Sequence, residues 1–201
     1  MELIIKFSFI ALCFIIALIS GRFCHSKKDW AFLVVGMGFT LISDYFLILA
    51  RNYPVGVFTF CFVHIAYIMR VSTNRERSLM FIVSAFGSGV LFYALFSFIS
   101  IFDTLVFIAS VYAMLFVLDL IWHVKFCKHG GIHGLPKINR WIMLVGMILF
   151  ALCDVNVLLF NLPNHIPLFS TEIANRSQNL IWIFYLPSQL LLSLSAVRWK
   201  K

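Results

Sequence analysis

Two aspartates set inside long apolar runs are the residues of this chain best suited to chemistry. Asp44 lies in GMGFTLISDYFLIL (36–49) and Asp154 in GMILFALCDVNVLLF (146–160). Gly36, Met37 and Asp44 correspond to Gly146, Met147 and Asp154, so one spacing returns 110 positions later. At about 1.5 Å per residue both runs are long enough to cross a bilayer as helices. An ionisable group there costs about 2.5–3.5 kcal/mol on insertion scales, so each acid needs a compensating role. Two carboxyl groups in one dry site divide the work, one keeping its proton and the other ionised. That division suits acid-catalysed cleavage followed by attack of water. The alternative account of the same residues is a polar network that ties helices together.

Further polar groups fall near these acids. His64 and Tyr67 lie one turn apart in GVFTFCFVHIAYIMR (56–70), a spacing that shares one helix face. Tyr185, Ser188 and Gln189 flank Pro187 in YLPSQ (185–189). Proline removes one backbone hydrogen bond and frees a carbonyl one turn earlier. The stretch is therefore expected to open its helix where substrate sits, with Ser188 and Gln189 as donors; a packing kink is the alternative. A serine nucleophile is not expected, because GxSxG is absent. No metal is expected either. His64 has no second membrane-embedded histidine, and His123, His129 and His133 flank Gly130, Gly131 and Pro136 in a basic loop (123–139) suited to anionic head groups.

The elements that must position these groups follow from composition. Of 201 residues, 62% are hydrophobic and 12% charged, and the mean hydropathy is +0.99. A small water-facing globule cannot bury that much apolar surface, so the chain reads as an integral membrane protein. Long unbroken runs make it an all-α helix bundle, one domain over 1–201, rather than a barrel. A net charge of +8 would suggest nucleic acid in a soluble protein, but the basic residues lie between apolar runs and set topology instead. No nucleic-acid partner is expected. Cys13, Cys61 and Cys153 lie in apolar runs, and Cys24 and Cys127 in basic loops, so no disulfide framework is expected. The N-terminus lacks a cleavage signature after Ser20 and reads as a retained helix.

Seven spans are predicted, at about 3–20, 30–50, 56–71, 78–98, 103–122, 140–160 and 180–197. Arg22, Lys27, Lys28, Arg70, Arg75, Arg77, Lys125, Lys128, Lys137, Arg140, Arg198, Lys200 and Lys201 then share one side. The positive-inside bias puts the N-terminus outside and the C-terminus in the cytoplasm. Helices 2 and 6 would cross in the same direction, which fits a parallel 3+1+3 repeat. By helix rise the acids lie roughly 9 Å from the outer end, His64 roughly 12 Å, and Ser188 and Gln189 roughly 13–15 Å. Such a layer of polar groups is what a cavity inside a bundle requires.

At LISDYFLIL (41–49), GVFTFCFVHIAYIMR (56–70), LFALCDVNVLLF (149–160) and YLPSQLLLSLS (185–195) the chain resembles the YhhN family of membrane proteins. Characterised members of that family are lysoplasmalogenases, and they usually have eight helices. The resemblance implies hydrolysis of the sn-1 vinyl ether of a lysoplasmalogen, giving a fatty aldehyde and a glycerophospho-base. It implies a lipid substrate, a multi-pass protein of the cell membrane, and no cofactor. Asp44, Asp154 and His64 would be catalytic, and Tyr67, Tyr185, Ser188 and Gln189 would bind substrate. A different class stays open on the residues alone: a small lipid or solute transporter or binding protein without hydrolytic activity.

Overall fold

In hydrocarbon every backbone N–H and C=O must bond within its own segment, which makes helices the outcome of these runs. A computed structural model describes residues 2–72, 75–97, 104–129, 135–161 and 171–198. Those residues form α1 (Glu2–Ser20), α2 (Lys27–Asp44), α3 (Tyr53–Val71), α4 (Arg75–Ser97), α5 (Thr104–His129), α6 (Lys137–Asn161) and α7 (Thr171–Leu194). Five of them, α1, α2 with its extension to Leu49, α3, α5 and α6, are long and apolar enough to cross a membrane. The chain is an all-α membrane protein.

Several helix ends differ from those expected, with α3, α4 and α6 starting a few residues early, and three of the differences have a clear local reason. α2 begins at Lys27, where the Ser26 side chain accepts a hydrogen bond from the Asp29 N–H and caps the helix. α5 continues to His129 because no glycine or proline interrupts the chain before Gly130. His123 and Cys127 are thus buried on a helix and do not lie in an open basic loop. α7 begins at Thr171, since the polar stretch TEIANRSQN carries neither glycine nor proline and winds without being apolar. It also runs unbroken through Pro187. The expected opening of the helix at that proline is therefore corrected. Asp103, Gly130, Gly131, His133, Lys200 and Lys201 lie outside the described residues.

The packing forms a ring. α1 lies on α2, α2 on α3, α3 on α5, α5 on α6, α6 on α7, and α7 returns to α1. Among the described residues, α4 touches α5 and the edge of α3. The ring buries Ile10 and Cys13 of α1, Met37 of α2, Phe60 and Tyr67 of α3, Met147 and Phe150 of α6, and Tyr185 and Leu192 of α7 in one core. The two repeated glycines serve close helix approach. A Cβ on Gly36 would stand 2.5 Å from the Tyr67 ring, and one on Gly146 would stand 3.0 Å from Leu192 Cγ.

The basic ends gather at one end of the bundle around a buried ion pair. Arg70 donates through Nε and Nη2 to both carboxylate oxygens of Asp29, at 2.8 and 2.9 Å, and through Nη1 to Ser195 Oγ at 2.9 Å. Asn139 donates to the Ser195 and Val197 carbonyls at 2.8 and 2.7 Å. Arg140 reaches the Phe126 and Cys127 carbonyls at the end of α5. Arg70 is thus no surface charge but a pin through α2, α3 and α7. Replacing it by alanine strands the Asp29 carboxylate in a dry site, and thermal unfolding in detergent should show a loss of about 3–5 kcal/mol. The double change Arg70→Met with Asp29→Leu should lose much less.

Candidate active site inside the helix ring

Asp44 is the last α-helical residue of α2, and Tyr45–Leu49 widens into a π-helical turn. The Ala50 N–H reaches back five residues to the Tyr45 carbonyl at 2.9 Å, and Arg51 takes a left-handed φ of 53°. Close approach of α3 accompanies the widening. A Cβ on Gly56 would stand 2.5 Å from Leu47 and 3.3 Å from the Ser43 carbonyl. Ser43 Oγ also bonds Thr59 Oγ1 at 2.7 Å. Asp44 is thereby held inside, 3% exposed, where its Oδ2 accepts the Tyr185 hydroxyl of α7 at 2.6 Å. π-turns of this kind recur at functional sites.

α5 supplies the other wall. Tyr112, Phe116, Asp119 and His123 recur at helical spacing and share its inward face. The Tyr112 hydroxyl donates to Asp154 Oδ2 on α6 at 2.6 Å. Asp119 Oδ2 lies 2.9 Å from His64 Nδ1 on α3, with both side chains fully buried. His123 Nδ1 lies 2.9 Å from the Asp119 carbonyl oxygen and 2.9 Å from its Oδ1; the carbonyl has the better alignment for a hydrogen bond. Phe150 of α6 stands between the groups, its ring centroid 5.6 Å from His64, 5.8 Å from Tyr185, 5.9 Å from Phe60 and 6.0 Å from Phe116. His64 in turn lies 5.1 Å from the Tyr112 ring. The result is an aromatic-walled interior carrying three carboxyl groups, each with its own partner from another helix.

The model of the YhhN family matches residues 1–196. The chain belongs to the YhhN family. The match takes in α1 as well as the stretches that carry the resemblance. Comparison with curated proteins and with solved structures finds no match.

The residues expected to act in this YhhN-family protein are distributed as follows. Asp44 and Tyr185 are bonded to one another, and His64 packs edge-on against the tyrosine that holds Asp154. The two acids do not share a hydrogen bond; Cys153 lies within electrostatic range of both. Tyr67 packs over Gly36 with its ring 6.4 Å from His123, and its buried hydroxyl has no aligned partner. Ser188 and Gln189 lie one turn beyond Tyr185 on the same inward face, fully buried, and their side-chain polar atoms have no protein partner. Among the described residues no three His, Cys, Asp or Glu side chains converge as metal ligands.

Sequence reasoning missed Tyr112, Asp119 and His123. The signal was present, since Asp119 is a third acid inside an apolar run and has a histidine four residues later. It has no counterpart at the 110-residue spacing, so an argument built on the repeat passes over it. Tyr112→Phe and Tyr185→Phe should each lower thermal stability by about 1–3 kcal/mol by leaving a carboxyl oxygen short of its donor. In an Asp154→Leu background Tyr112→Phe should cost much less, as a double-mutant cycle would register.

Proposed function

We propose that this YhhN-family protein hydrolyses the sn-1 vinyl ether of lysoplasmalogens, releasing a fatty aldehyde and a glycerophospho-base. The observation that carries the reading is the pair of carboxyl–tyrosine contacts, Asp44 with Tyr185 and Asp154 with Tyr112, facing an interior walled by aromatic rings. A vinyl ether breaks when its β-carbon takes a proton, which makes an oxocarbenium ion that water captures. One of Asp44 and Asp154 gives that proton as a carboxylic acid; the other activates water or stabilises the cation. Rings such as Phe150, Phe116 and Tyr112 suit a positive centre through their electron-rich faces. The buried, unpartnered Ser188 and Gln189 supply donors for a polar part of the lipid, with Tyr67 lining the same interior.

In this reading the basic end of the bundle faces the cytoplasm, the N-terminus lies outside, and the membrane is that of the cell surface. The lipid would reach the ring from the bilayer, with its alkenyl chain along apolar helix faces.

Purified protein in detergent, given a lysoplasmalogen, should release free aldehyde. Asp44→Asn and Asp154→Asn should each reduce the rate by about 10²–10⁴-fold, the usual contribution of a general acid or base, with unfolding temperatures near that of wild type. Full rates in both variants would discard these acids. Recovery of intact lipid alone, moved across a vesicle membrane, would assign the protein to transport.

A further inference from the structure

The hydrolysis proposed above uses two acids, and it leaves a third, Asp119, without a task. Asp119 is fully buried on α5 and meets two imidazole rings, His64 from α3 and His123 from its own helix. Simple interhelical glue needs one partner. Here His64 Nδ1 lies 2.9 Å from Oδ2, while His123 Nδ1 lies 2.9 Å from both the Asp119 carbonyl oxygen and Oδ1. An ionised carboxylate only accepts hydrogen bonds, so the nitrogen facing it carries the hydrogen. In a neutral ring the other nitrogen is then bare. His64 Nε2, at the tip of the ring away from α3, is buried without a protein partner. The same ring lies 5.0 Å from Phe116, 5.1 Å from Tyr112 and 5.6 Å from Phe150 by centroid, and Tyr112 is the group that holds Asp154. The ring that carries the bare nitrogen is therefore separated from a candidate acid by one aromatic ring, that of Tyr112.

We infer that Asp119, steadied by His123, is a positioning residue that fixes His64 with Nδ1 protonated and Nε2 bare, so that Nε2 takes the proton of the attacking water. The inference rests on the hydrolysis reading. The proton balance closes. A carboxylic acid gives its proton to the alkenyl β-carbon, forming a C–H bond and an oxocarbenium ion. Water oxygen bonds the adjacent cationic carbon while its proton passes to Nε2, and Asp119 faces the imidazolium that results. The hemiacetal then collapses. His64 returns its proton to the departing glycerol oxygen as the C–O bond breaks, and the hemiacetal hydroxyl proton returns to the carboxylate. One water is consumed, and the aldehyde and alcohol leave with both catalysts reset.

The test uses full-length protein in detergent with ¹⁵N-labelled histidine, the His64 signal being assigned by its loss in His64→Gln. Wild type should show His64 as the Nδ1–H tautomer with an unprotonated Nε2. Asp119→Asn, whose amide can donate to Nδ1, should shift that tautomer and slow aldehyde release by about 10²–10⁴-fold at a near-native unfolding temperature. A purely structural Asp119 would change stability and leave the tautomer signature alone. A wild-type spectrum with Nε2–H or a doubly protonated His64 overturns the inference without any variant having to fold. So does an Asp119→Asn protein with an unchanged signature and full rate. Wild type with the Nδ1–H signature but no aldehyde would sink the hydrolysis reading and the base role with it, while keeping Asp119 as the group that orients His64.

Discussion

A carboxyl group inside hydrocarbon must find a hydrogen-bond partner, and the ring of helices is arranged by how four of them do so. Asp44 joins α2 to α7, Asp154 joins α6 to α5, Asp119 joins α5 to α3, and Asp29 joins α2 to α3. Interhelical hydrogen bonds in membranes average only about 0.6 kcal/mol, because an alternative arrangement also finds partners. Leaving a buried charge unpaired costs several times more. The pairs therefore act less as adhesive than as a filter, since an order that separates two paired helices takes the partner from a buried acid or from Arg70. Bulk attraction comes from elsewhere, notably the close α6–α7 contact at Gly146 and Leu192 and the Tyr67 ring laid over Gly36.

How much of this was legible follows from the range of each signal. Helix character, the acids in apolar runs and the clustering of basic ends are local properties, and a linear reading reaches them. The glycines at 36 and 146 were legible as close-approach positions only once their neighbours were known. Tyr112 and Tyr185 sit 42 and 141 residues from the acids they bond. Nothing in their own surroundings marks Tyr112 as different from any other aromatic residue on a span. His123 was hidden by an assumed helix end, since apolar character thins after Trp122 while the helix continues. α7 was shortened for the same reason, because hydropathy detects lipid-facing surface and 171–179 is polar yet helical. The π-turn after Asp44 has no sequence signature of its own. It arises where α3 presses in at Gly56, which is tertiary information.

The repeat in sequence also ends in unlike surroundings. Asp44 is closed in, bonded to a buried tyrosine and followed by a π-turn. Asp154 is only partly buried, sits in an uninterrupted helix, and shares Tyr112 with the His64–Asp119 pair. Two carboxyl groups that serve one reaction as acid and base need different environments, because identical ones would hold their protons alike. Two helices with the same glycine–methionine–aspartate spacing carry the two groups; the non-equivalent neighbours, α7 for one and α5 for the other, supply the difference. The asymmetry of the ring thus gives the two aspartates unlike partners, and α5, which carries Tyr112, Asp119 and His123, is its source on the Asp154 side.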